Sequence, residues 1–428
     1  MSSRSLVYTT FDRFPAPKGA ATHIRAFVAA LAQEFSQVDL VTVAGPPVVG
    51  ENGNGTENGT NSVAPPATVT NPPPLNGVSH TELPAQGASL IERVLNFRTH
   101  LRAWWGDRRP HIAHVRSIFE GYPIARHKPR WCDQFVFEVN GLPSVELKYH
   151  YPQVADDREL MSKLISQEQC CLDAADLVVT VSEVNAAHLR SRGVDETRLC
   201  VIPNGVDTDL FHYQPPRPWG EREIRLLYSG TLSAWQGVQT AIEALALYRR
   251  EAPARLTIVG YGRAGQAKSL REFAYRLGVF DFVEVIDSVS PDELVRLHHA
   301  ADAVLVPLLP NDRNLVQGCC PLKVLEAMAS GTPVIASDLP VVAALARPDI
   351  DAILVRPGSA KSDQRRTAAT ANRTNSCPPL RHQRAPTRRT KLHLANRPTA
   401  TAGSLPAARQ KFVGWVAVAR DDHDFRCG

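Results

Sequence analysis

No apolar run in this 428-residue chain approaches the roughly 20 residues that cross a bilayer. A membrane-spanning helix is therefore not expected. The start, MSSRSLVYTTFDRF, lacks a charged segment followed by a long apolar one, so no secretory signal is legible. The eight cysteines (Cys132, Cys170, Cys171, Cys200, Cys319, Cys320, Cys377, Cys427) contain no C-x-x-C. That argues against a zinc ribbon, and two adjacent pairs do not make a disulfide framework. The expectation is a cytoplasmic protein with reduced thiols. Acidic residues are scarce in one place only. Residues 361–428 hold 4 Asp and Glu against 14 Lys and Arg, while the remainder holds 39 against 34. The net charge of +5 thus arises in the tail, the body is slightly acidic, and the charge gives no reason to expect a nucleic-acid partner.

What is present alternates. SLVYTT at 5–10 reads as a strand, a helix runs from His23 to Phe35, and VDLVTV at 38–43 is a second strand. Residues 46–87, rich in Pro, Gly, Asn and Thr, read as a flexible surface loop. Asn54 and Asn58 each begin a glycosylation sequon there, with no secretion signal to put it to use. Order resumes with a helix near 88–106, strands near 111–115 and 135–139, a helix near 158–173, and strands at 177–181 and 199–203. A second series begins at 224: strands IRLLYSG, RLTIVG, FVEVI, AVLVPL, TPVIAS and AILVR, with helices near 237–250, 266–277, 291–300 and 322–330. Strands alternating with helices predict parallel sheets covered on both faces. The fold class is α/β, with two Rossmann-like domains at 1–205 and 206–358.

The pattern stops near Lys361. Residues 359–428 carry many Arg, Thr and Pro without helical or strand period. Two readings stay open: a basic disordered tail, or out-of-frame translation of a gene whose last helices are lost.

Four segments carry a family resemblance: VIPNGVDTDLF at 201–211, LYSGTLSAWQGV at 227–238, LTIVGYG at 256–262 and PLKVLEAMASGTPVIAS at 321–337. In this order and spacing the chain, over roughly residues 5–358, resembles family 4 (group 1) retaining glycosyltransferases. The resemblance implies a GT-B fold, two Rossmann-like domains facing across a cleft. It also implies transfer of a hexose-type sugar from a nucleotide-sugar donor to a hydroxyl acceptor, with retention and without a metal or other cofactor. The acceptor would be a sugar or lipid-linked intermediate of polysaccharide or glycolipid synthesis, which leaves contact with the inner face of a membrane open.

The chemistry then needs a reader of the ribose diol, a partner for the diphosphate and a grip on the sugar. A carboxylate can accept both diol hydroxyls, and Glu326 matches the family's position. Helix N-termini meet phosphates with free amides. The turn Gly318, Cys319, Cys320, Pro321 and Leu322 precedes such a helix, with Lys323 in its first turn. Where the family places an Arg and a Lys, this chain has Thr231 and Gln236, so Lys323 is expected to supply part of the missing charge. The family's sugar-contacting Glu, eight residues before Glu326, is Gly318 here. Gly19, after Lys18, matches the N-terminal loop that approaches the donor phosphate. His114, Arg116 and Glu120 follow one strand and are the catalytic candidates. His23, Glu138 and Asn140 are the acceptor-side candidates. Structural ion pairing or core packing accounts equally well for these charges and for His114.

Two other readings compete. The truncated tail would leave an inactive nucleotide-binding relative. GYGRAG at 260–265 fits G-x-G-x-x-G, with Glu284 and Asp287 downstream, as in a nicotinamide dehydrogenase. Asp207 and Asp209 spell D-x-D, but in the segment joining the two domains, where no metal is expected.

Overall fold

The structure, a computed structural model, describes residues 5–16, 19–45, 75–217, 222–263 and 265–358. In chain order the first elements are β1 (Ser5–Thr9), α1 (Gly19–Leu31), β2 (Gln37–Val43), β3 (Val78–Leu83), α2 (Leu90–Trp105), β4 (Ile112–Val115), α3 (Ile118–Arg126) and α4 (Lys128–Trp131). Then come β5 (Gln134–Val139), α5 (Pro143–His150), α6 (Arg158–Ala174), β6 (Leu177–Thr180), α7 (Glu183–Ser191) and β7 (Leu199–Val201). The second series is β8 (Ile224–Ser229), α8 (Val238–Tyr248), β9 (Ala254–Val259), α9 (Gln266–Arg276), β10 (Val283–Ile286), α10 (Pro291–Ala300) and β11 (Ala303–Val306). It ends with α11 (Leu322–Ser330), β12 (Val334–Ser337), α12 (Pro340–Ala343) and β13 (Ile353–Val355).

The strands form two parallel sheets, ordered β3-β2-β1-β4-β5-β6-β7 and β10-β9-β8-β11-β12-β13. The α/β class with two Rossmann-like halves is as expected. Strands of sheets covered on both faces read as unbroken apolar runs, and all four positions of β4, β6, β11 and β12 are buried. The sheets divide as the sequence does, β1–β7 before residue 206 and β8–β13 after it. By compactness the chain instead separates inside β5, into residues up to Phe135 and residues from Val136.

In the first unit α2 starts at a capping box. Ser89 Oγ accepts from Glu92 N at 3.1 Å, and Glu92 returns its carboxylate to Ser89 N. Its buried stripe of Val94, Phe97, Leu101 and Trp105 ends where Trp105 stacks on Trp131 at 5.4 Å and donates to its carbonyl. In the second unit Leu226, Tyr228, Ile242, Leu245, Leu256 and Ile258 join α8 to its sheet.

The expected loop at 46–87 requires a correction: β3 lies within it, parallel to β2 with Val78 opposite Val38. VSHTEL forms an edge strand with mostly solvated side chains, so it carries no apolar alternation to read. His80 Nε2 and Thr42 Oγ1, 2.8 Å apart, join it to β2. Residues 46–74, with Lys18 and the tail from 359, lie outside the described residues. The short helices α3, α5 and α7 were not anticipated, being too brief for a periodic signal.

Candidate functional site

The carboxyl end of β8 and the first turn of α11 converge on Lys323. Its side chain is 6% exposed. Nζ donates to Gln236 Oε1 at 2.8 Å and lies 4.1 Å from the Tyr228 ring centroid. A Cβ at Gly230 would stand 3.0 Å from that Nζ, so the backbone approaches it closely. Burial pushes the Lys323 pKa down to about 7, against the opposing charge of Glu326 one turn on. Burial likewise pushes Glu326 up to about 7, against Lys323. Ser229 Oγ and Thr231 Oγ1 are buried at the same strand end with no hydrogen-bond partner among the described residues. An ammonium, an amide and two hydroxyls thus gather at one strand end, all able to donate to anionic oxygens.

The N-cap of α11 is Pro321, which offers no side-chain acceptor to the first-turn amides. Before it, the turn 318–322 is held from both sides. Asn204 Nδ2 donates to Cys320 O at 2.8 Å, and Arg313 donates to Gly318 O. Cys319 and Cys320 are buried, and burial pushes their thiols up, Cys320 to about 12. They are packing residues with little thiolate character.

Sequence reasoning missed the centre of this second unit. Arg313, 7% exposed, sets Nε 2.5 Å from Glu146 Oε1, reaches Asn140 O at 3.4 Å and lies 5.1 Å from the Trp235 ring centroid. Gln317, wholly buried, accepts from Leu142 N at 2.8 Å and donates to Glu146 Oε1 at 3.0 Å. The only signal was a polar NDRN insert between an apolar strand and an apolar turn. Glu138 is fully buried at the end of β5 and accepts from Asn140 Nδ2 at 2.5 Å.

In the first unit Gly19 opens α1, and the half-buried His23 stacks on Phe27 at 4.4 Å. His114, buried on β4, lies 4.6 Å from the Tyr8 ring and 6.1 Å from Phe27. Arg116 Nη1 pairs with Asp12 Oδ2 at 2.6 Å, and Thr10 Oγ1 reaches that oxygen at 3.1 Å. Asp12 was not among the expected residues. Glu120 is fully buried and accepts from Arg116 N, Ser117 N and Ser117 Oγ at 2.7–3.0 Å, closing a capping box on α3. Burial pushes it up to about 7. Its three partners commit it to the helix start.

The G-x-G-x-x-G run follows β9, which is not the central strand of its sheet. Gly260 is needed there for contact with its neighbour, since a Cβ would stand 1.8 Å from Gly230 O. Asp207 Oδ1 caps a turn by accepting from Asp209 N and Leu210 N. Among the described residues no group of three or more His, Cys, Asp or Glu could hold a metal ion. Among them, too, no helix is long and apolar enough to cross a membrane.

Residues 17–210 match the family model for Glycosyltransferase Family 4, and residues 223–369 match that for Glycosyl transferases group 1. A D-inositol 3-phosphate glycosyltransferase of Xylanimonas cellulosilytica is 27% identical over 349 residues, 76% of each chain. Its counterpart in Corynebacterium glutamicum is 27% identical over 336 residues, 74% of this chain and 75% of that one. Among solved structures, sucrose-phosphate synthase from Thermosynechococcus elongatus has a TM-score of 0.63 at 20% identity, covering 86% of this chain and 90% of that one. The Anabaena protein HepE, solved with UDP and glucose, has a TM-score of 0.58 at 15% identity, covering 87% and 89%. Those two likenesses speak to fold alone. With both halves matched in order, the chain belongs to the glycosyltransferases of the GT-B fold.

Proposed function

We propose that this chain transfers a hexosyl unit from a nucleoside-diphosphate sugar to a hydroxyl acceptor, with retention at the anomeric carbon. The observation that carries the reading is the buried Lys323 ammonium, held by Gln236 beside the Ser229 and Thr231 hydroxyls, which have no partner among the described residues. Breaking the bond from the anomeric carbon to the diphosphate leaves charge on a phosphate oxygen. Lys323, those hydroxyls and the α11 amides would bind that charge where water is excluded. Glu326 would accept the ribose diol, and the backbone from Cys319 to Leu322 would face the sugar. The half carrying β8–β13, residues 206–358, is then the donor side.

Residues 1–205 form the acceptor side in this reading. Gly19 opens α1 without a side chain, so the α1 amides are open to an anionic group. His23, His114 and the Arg116–Asp12 pair offer polar groups to an acceptor, and Glu120 acts by fixing the Arg116–Ser117 backbone. Glu138 and Asn140 steady the attacking hydroxyl. The acceptor is a sugar or lipid-linked hydroxyl of polysaccharide or glycolipid synthesis. The curated relatives named above carry an inositol phosphate in their name, and HepE was solved with UDP and glucose. Both accord with a polyol acceptor and a nucleotide donor.

Calorimetry of the full chain against UDP, ADP and GDP tests the reading, followed by transfer assays with the matching sugar nucleotides. Binding of at least one diphosphate, lost about 100-fold in Lys323→Met, is the expected result. Failure of the unaltered chain to bind any of them would remove it.

A further inference from the structure

We infer that Glu146 is the carboxylate that reads the hydroxyls of the transferred sugar, an assignment that rests on the donor site proposed above. The turn at 318–322 begins at Gly318, with φ 80°. A Cβ there would lie 2.8 Å from Asn185 N, 2.8 Å from Val184 Cβ and 2.9 Å from Ser182 Oγ. The first residue of the turn is therefore barred from presenting a side chain, and a carboxylate facing a sugar beside it must be brought in from elsewhere.

The residue brought in is Glu146, on α5. It is tied to the segment that leads directly into the turn, through Gln317 Nε2 at 3.0 Å and Arg313 Nε at 2.5 Å. Arg313 also donates to Gly318 O, so one guanidinium fixes both the carboxylate and the start of the turn. Gln317 donates a hydrogen bond to Oε1, and the Arg313 ion pair addresses the same oxygen. Among the described residues Oε2 takes no hydrogen bond, and the side chain keeps 31% of its exposure. A carboxylate locked by one oxygen and open at the other is a preorganised acceptor for vicinal hydroxyls. Gly141 completes the arrangement. A Cβ there would lie 2.1 Å from Glu146 Oε1, so only glycine leaves room for the carboxylate in this position.

The chemistry separates nucleotide from sugar. Glu146 should contribute to binding of a nucleoside-diphosphate hexose and nothing to binding of the bare nucleoside diphosphate. Calorimetry with UDP and UDP-glucose, or with whichever diphosphate the unaltered chain prefers and its hexose, is run on the full chain and on two variants. Glu146→Gln removes the charge at constant volume, and Gly141→Ala displaces the carboxylate while leaving it in the protein. Both variants are expected to bind the diphosphate within twofold of the unaltered chain and the sugar nucleotide about tenfold more weakly. Equal weakening of both ligands would mean that Glu146 only supports the fold, and unchanged binding of both would mean that it does not face the sugar. Either result overturns the assignment. A wild-type chain that binds neither ligand overturns the donor site itself, and the assignment with it.

Discussion

Lys323 and Gln236, 87 residues apart, meet through a 2.8 Å hydrogen bond from ammonium to amide. Gln236 holds a buried cation without cancelling its charge. A carboxylate in its place would neutralise Lys323, and a lysine would repel it.

The first expectation concerns pH. Lys323 titrates near 7 in the folded chain, down from 10.5, because it is buried. Above about 7 it loses its proton, so affinity for a nucleoside diphosphate should fall as pH rises, by up to about tenfold per unit for one coupled proton. Between about 7 and 10.5 the unfolded chain binds the proton and the folded chain does not, so stability should rise with pH across that window. Calorimetry in buffers of different ionisation enthalpy should show proton uptake on binding at pH 8. In Lys323→Met that uptake should vanish.

Glu326 gives a second expectation. If its carboxylate accepts the ribose diol, Glu326→Ala should lose about tenfold or more of the preference for UDP over 2′,3′-dideoxy-UDP, as expected for charge-assisted hydrogen bonds. An unchanged ratio would place Glu326 away from the ribose.

A third separates capping from chemistry. Glu120→Ala leaves the Arg116 and Ser117 amides without their acceptor. Denaturant unfolding should show a loss of about 2–4 kcal/mol. Diphosphate affinity should stay within twofold, because Glu120's partners are the Arg116 and Ser117 amides and the Ser117 hydroxyl, none of them a diphosphate-binding group.

The fourth is steric. Gly260→Ala puts a Cβ 1.8 Å from Gly230 O. Separating those two loops should cost about 3 kcal/mol or more and weaken diphosphate binding through the β8 strand end. Gly262→Ala is the milder comparison, since its nearest neighbours are side-chain atoms at 2.9 Å.

The periodic elements were legible because each repeats its signal. Unbroken apolar runs such as AVLV and VIAS announce strands buried on both faces, and the linked motifs from VIPNGVD to PLKVLEAMA mark the half that carries β8–β13. β3 was not legible because its outward side chains are polar. Nor were α3, α5 and α7, of eight or nine residues, where tertiary packing rather than periodicity supplies the stability. Lys323 was expected to make up for the cations missing at Thr231 and Gln236, without sign that Gln236 holds it.

By itself the sequence determined the alternation of strand and helix, the two parallel sheets, and the substitution of Thr231 and Gln236 where cations were expected. Local pattern suffices for these, since burial on both faces of a sheet leaves a mark at every residue. Only the tertiary structure decided which charges are buried and what holds them. Arg313 finds Glu146 across 167 residues of chain, and Glu120 turns inward to cap its own helix. Such pairings depend on the desolvation that folding imposes on each group, and a linear order of residues does not carry that quantity.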